Sequence, residues 1–207
     1  EDVSVMSGDN TALIQLQDLD RDGERETAVT FFRVSEAEKP LKIYFFTRTA
    51  EDTYTVSAMV EGNGTAIYRV DYVDLNGSGC KEVVVSWQMS TGGYLLGAYS
   101  LEEAMVRSLQ YAASAPAGSA SAQGLPDREA LRATEWMTTV YDNYALYDLD
   151  QDTRTELAVV RVDKAGTNSA VDLYGWRDGS FMVRASAPLS MGISSVEKNG
   201  VETNFLK

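Results

Sequence analysis

The chain has 207 residues, 44% of them hydrophobic, which is enough to bury a core in one all-β domain or two small ones and excludes disorder as the expected state. Its 18 Lys and Arg against 31 Asp and Glu leave a formal charge of -13, which repels a phosphate backbone and argues against nucleic acid as a partner. Histidine is absent, which removes Ser-His-Asp and Cys-His catalysis and the usual zinc ligands, and a single cysteine, Cys80, cannot form an internal disulfide.

No apolar run approaches 18 residues, so no transmembrane segment is expected, and a chain that opens on Glu1 rather than Met points to a leader or upstream segment that is missing. In chain order, strands are expected at 12–17, 26–34, 41–47 and 53–60, with an acidic loop joining the first two. A second unit follows with strands at 66–73, 82–88 and 94–99. Repeat logic makes 105–111 its fourth strand, although Leu101, Ala104, Met105, Ser108 and Leu109 also fall on one helical face. Residues 112–138 read as a flexible insert, with a small polar linker at 113–125 and the one expected helix at 126–137. A third unit has strands at 144–147, 156–162, 170–176 and 180–185, with Asp178 and Gly179 turning the last hairpin. Segments 192–197 and 201–206, around Asn199 and Gly200, read as a hairpin opening a fourth unit.

The units thus lie at about 12–61, 66–111, 140–187 and, in part, 190–207. Tandem four-stranded antiparallel units are the pattern of a β-propeller, in which each sheet buries its faces against its neighbours. The expected fold is therefore all-β: a propeller-like array of three units plus a partial fourth, in a single domain.

Three loops carry the chemistry. DLDRDGERE begins at 18, DLNGSGCKE at 74 and DLDQDTRTE at 148, each placing oxygen side chains at positions 1, 3, 5 and 9 ahead of an apolar strand. Alternate side chains of a tight loop converge, the carbonyl of position 7 turns inward and position 9 closes the shell, which suits a hard cation that takes six to eight oxygens. The first loop offers Asp18, Asp20, Asp22 and Glu26 with the carbonyl of Glu24, and Gly23 at the sharp turn. The second offers Asp74, Asn76, Ser78 and Glu82 with the carbonyl of Cys80, and has less charge. The third offers Asp148, Asp150, Asp152 and Glu156 with the carbonyl of Arg154, but places Thr153 where the turn favours glycine. An alternative is that these residues only form Asx turns, partly neutralised by Arg21, Arg25 and Arg154.

The loop pattern resembles the DxDxDG repeats of the FG-GAP and VCBS families, which include integrin α-subunit propellers and bacterial surface proteins. The resemblance implies structural calcium, a location outside the cytoplasm as a secreted or lipid-anchored bacterial protein, and a binding or scaffold role toward a protein or glycan at the cell surface. Oligomeric state is left open. No catalytic pair is marked by the sequence, and the alternatives are a polysaccharide lyase or hydrolase on the same scaffold, or a spacer. Trp87, Trp136 and Trp176 could stack on sugars, but aromatic residues in strands more often pack in the core. Cys80 reads as an inert thiol.

Overall fold

The computed structural model describes residues 14–25, 27–34, 38–49, 52–114, 128–163 and 169–189. They form three open four-stranded antiparallel sheets and two short helices. The first sheet contains β1 (Ile14–Gln17), β2 (Thr27–Arg33), β3 (Leu41–Arg48) and β4 (Tyr54–Gly62); the second contains β5 (Ala66–Val73), β6 (Glu82–Gln88), β7 (Tyr94–Ser100) and β8 (Thr134–Tyr141). The third contains β9 (Asn143–Tyr147), β10 (Glu156–Arg161), β11 (Ala170–Arg177) and β12 (Ser180–Pro188). Each sheet takes its strands in chain order, so every strand pairs with its sequence neighbour. Residues 1–13 and 190–207, including the expected fourth-unit hairpin, and most of the 113–125 linker lie outside the described residues.

Two expectations are corrected in the second unit. Residues 105–111 are not a strand: they belong to α1 (Glu102–Ser114), whose first turn carries Glu102 and Glu103 at the positive end of its dipole. The Ser100 hydroxyl accepts the Glu102 N–H, and Leu101 and Ala104 bury themselves in the core, so the helical periodicity prevails over the repeat. The helix expected at 126–137 is confined to α2 (Arg128–Leu131); the chain then turns extended, and β8 supplies the missing fourth strand. The β-branched and aromatic content of TEWMTTVY favours that outcome. The described residues thus hold two short helices where one was expected.

The second sheet lies between the other two, which explains its sequence. Along β6, Val83, Val85 and Trp87 join Val29, Phe31, Ile43 and Phe45 of the first sheet, while Val84 joins Leu157, Val159 and Phe181 of the third. Alternate residues point to opposite faces, so a strand covered on both sides reads as an unbroken apolar run. Trp87, 1% exposed, donates its indole N–H to Tyr99 Oη at 3.2 Å and lies against Gly62 of β4. A Cβ on Gly62 would meet that ring at 2.5 Å. The outer face of the first sheet receives α2, with Leu131 packed on Val56 and Met59.

The three acidic loops fall at one recurrent place, between the first and second strands of each sheet. Each sheet also has a one-residue bulge between its third and fourth strands, where the extra residue is Ser57, Trp136 or Arg184. Such a bulge bends the strand and re-aims a side chain.

Candidate metal centres in the three loops

All three loops share one backbone frame. The position-1 carboxylate accepts the N–H of position 6: Asp18 from Gly23 at 3.2 Å, Asp74 from Gly79 at 3.0 Å and Asp148 from Thr153 at 3.0 Å. The position-5 side chain accepts the N–H of position 7, as Asp22 from Glu24, Ser78 from Cys80 and Asp152 from Arg154. Position 9 accepts the N–H of position 2, as Glu82 from Leu75 and Glu156 from Leu149, both at 2.8 Å. Glu26, the corresponding residue of the first loop, lies outside the described residues.

Positions 4 and 6 are left-handed throughout. Arg21 and Gly23, Gly77 and Gly79, and Gln151 and Thr153 all have φ between 62 and 95°. The demand at position 6 follows from the glycine pattern, whereas that at position 4 is hidden because Arg21 and Gln151 occupy it in two loops.

The loops differ in how their negative charge is met. One carboxylate oxygen from each of Asp18, Asp20 and Asp22 lies within 4.8 Å of the others, and the same holds for Asp148, Asp150 and Asp152. In the second loop Asp74 is 2% exposed and both its oxygens accept backbone N–H groups, from Gly77 and Gly79. Asn76 there accepts from Ser78 and donates to Glu82. Burial pushes the Glu82 carboxyl up to about 7, with the charge of Asp74 adding to it against the hydrogen bonds from Leu75 and Asn76. Burial likewise raises Glu156, with Asp150 and Asp152 contributing. The Cys80 thiol is pushed up by burial and by the surrounding Asp20, Glu102, Glu82 and Asp74, which disfavours a reactive thiolate.

Cations pair with the carboxylates of the second and third loops. Arg21 pairs with Asp74 at 3.4 Å, Arg154 with Asp152 at 3.8 Å, and Arg184 with both Asp150 and Glu156 at 3.5 and 3.7 Å. Among the described residues, none of these ion pairs reaches Asp18, Asp20 or Asp22. Asp18 Oδ1 is buried with no hydrogen-bond partner, while Lys81 donates to the Asp18 backbone carbonyl at 2.6 Å instead.

The loops also hook onto one another. Lys81 N–H, at position 8 of the second loop, donates to the carbonyl of Leu19, and Thr155 N–H, at position 8 of the third, donates to that of Asp74. Leu19, at position 2 of the first loop, is buried between the first and second sheets, and Leu75 is buried between the second and third. Leu149 takes the same place in the third loop and is 51% exposed.

Elsewhere, the tryptophans serve packing: Trp87 is core, and Trp136 packs on Trp176 with ring centroids 4.8 Å apart and the planes tilted by 43°. A second charged cluster escaped the sequence reading. Buried Glu61 is held by Lys42, Arg128 and Arg132, which ties α2 to β3 and β4. No local spacing announces it, because its members come from β3, β4, α2 and the residue just after α2. No helix among the described residues is long and apolar enough to cross a membrane. Neither a protein-family model nor a curated protein matches this chain.

Proposed function

We propose that this chain is a propeller-like array of four-stranded sheets, braced by calcium in its first loop, that acts as a non-enzymatic binding or scaffold domain toward a protein or glycan at a bacterial surface. The observation that carries the calcium reading is Asp18 Oδ1, a buried carboxylate oxygen without a donor inside a group of three converging carboxylates. A buried unpaired acceptor is costly, and a hard cation satisfies it together with Asp20 and Asp22. Millimolar calcium outside cells suits a loop of modest affinity, which favours a secreted or lipid-anchored location.

The propeller-like reading draws on three regularities: chain-ordered sheets, acidic loops at one recurrent place, and contacts between successive first strands. Tyr72 on β5 donates to Gln15 on β1 at 3.0 Å, and Tyr144 on β9 donates to Asp71 on β5 at 2.6 Å. The loop spacing is similar to that of FG-GAP and VCBS repeats, which supports the same assignment.

Calorimetric titration of EDTA-stripped protein tests the ion. Calcium is expected to bind the first loop in the millimolar range or tighter, and the binding is expected to vanish in the D20N/D22N double variant. An absence of calcium heat in the native chain, or equal binding by the double variant, would sink the reading.

A further inference from the structure

We propose that Arg184 is a built-in cation that occupies the third loop in place of calcium, so that this loop is latched by the protein while the first is left for the metal. The inference rests on the reading of these loops as cation loops. Arg184 is the extra residue of the β11–β12 bulge, between the pairs Leu173 with Ala185 and Tyr174 with Val183. The bulge sends its side chain toward Gly175 of the neighbouring strand. A Cβ on Gly175 would lie 2.7 Å from Arg184 Cδ and 3.4 Å from Glu156 Cγ, so the bare glycine is what lets the side chain cross. At the far end the guanidinium lies 3.5 Å from Asp150 Oδ2 and 3.7 Å from Glu156 Oε1, bridging positions 3 and 9 of the loop.

Those two carboxylates belong to the set a calcium ion needs. A fixed positive charge beside them neutralises the loop and repels a divalent cation entering it. At an effective dielectric between surface and water values this lowers calcium affinity by about tenfold or more. The other loops bracket the arrangement. Arg21 leans on Asp74 in the second loop, where both oxygens already accept backbone N–H groups. No such pair reaches the three carboxylates of the first loop among the described residues.

The number of calcium ions bound per full-length chain, measured by equilibrium dialysis of EDTA-stripped protein at millimolar calcium, tests the latch. R184Q is expected to bind one ion more than the native chain, and D150N/D152N in the R184Q background is expected to remove that ion. R184K, which keeps the charge, is expected to bind as the native chain does. G175A reaches the same end by another route, since its Cβ displaces the Arg184 stem, and it too is expected to gain calcium binding; either variant that folds reads the latch. Equal counts for the native chain and R184Q, or two ions in the native chain with one lost on D150N/D152N, would overturn it. The native count separates the two readings: none in the native chain with one in R184Q leaves the latch standing and removes calcium from the first loop, whereas one in both removes the latch alone.

Discussion

Thr153 holds a left-handed backbone at φ 75°, in a position that the other loops give to Gly23 and Gly79. For an L-residue this conformation costs roughly 1–2 kcal/mol, and a β-branched side chain has little freedom to relieve it. Thr153 is exposed and its contribution to the frame is its N–H to Asp148, which glycine keeps. T153G is therefore expected to stabilise the chain by about 1 kcal/mol after the extra backbone entropy of glycine is subtracted, seen as a higher urea midpoint; an unchanged or lower midpoint would show that the turn is not strained. Glu82 gives a pH dependence. Its folded-state carboxyl is pushed from an ordinary 4.5 to about 7, so the folded chain holds this proton more tightly than the unfolded chain. The stability it contributes is complete below about 4.5 and is lost as pH rises to about 7. In calcium-free buffer, E82Q is expected to flatten the fall in urea midpoint across that window; a native chain whose stability rises with pH there, with E82Q no different, contradicts the assignment. The convergence of Asp18, Asp20 and Asp22, and of Asp148, Asp150 and Asp152, was legible in the sequence because alternation in a tight loop brings such side chains together. Arg184 was not, since it meets Glu156 only through a strand register and a bulge that no local spacing encodes.

At the scale of elements, legibility followed the loops. Wherever an acidic loop pegged the start of a strand, as before β2, β6 and β10, the strand and its neighbours were placed within a residue or two, since the apolar run could begin in only one register. After β7 the structure departs from the repeat, because α1 and α2 intervene before the sheet is completed by β8. There the repeat argues for a strand while Leu101, Ala104, Met105, Ser108 and Leu109 argue for a helix, and of these five Leu109 stays exposed in the helix. The helical argument prevails because Ser108 reaches the Val56 carbonyl at 2.8 Å and the apolar face covers β4. Contacts between sheets were equally hidden, as Gly62 and Trp87 illustrate: glycine within a strand weakens it unless something must approach closely. Because a Cβ on Gly62 would stand 2.5 Å from a ring fixed by Tyr99 and the surrounding valines, G62A is expected to cost about 1–3 kcal/mol by overpacking. Urea unfolding is the measurement, and a loss below 0.5 kcal/mol, about the size of a neutral surface change, would mean that the two sheets separate easily.

For the whole molecule, the order of the sheets and the hooks between loops make a one-directional stack, in which the first and second loops are each sealed by the unit that follows. Leu19 is covered by the second sheet and is 4% exposed, and Leu75 is covered by the third and is fully buried. Leu149 has the equivalent position with the third sheet behind it, and it is half exposed. The same leucine in the same loop therefore reports whether a further sheet lies beyond it, independently of any ion. In the 207-residue chain, L19A and L75A are each expected to cost about 2–5 kcal/mol, since each leaves a cavity between packed sheets, whereas L149A is expected to cost under about 0.5 kcal/mol. Unfolding the three variants in parallel under calcium-free conditions isolates packing from metal binding. A loss at Leu149 as large as that at Leu75 would mean that the third loop is covered like the second. Equal small losses at all three would mean that the leucines do not join one sheet to the next, and the stack would have to be held by the strand faces alone.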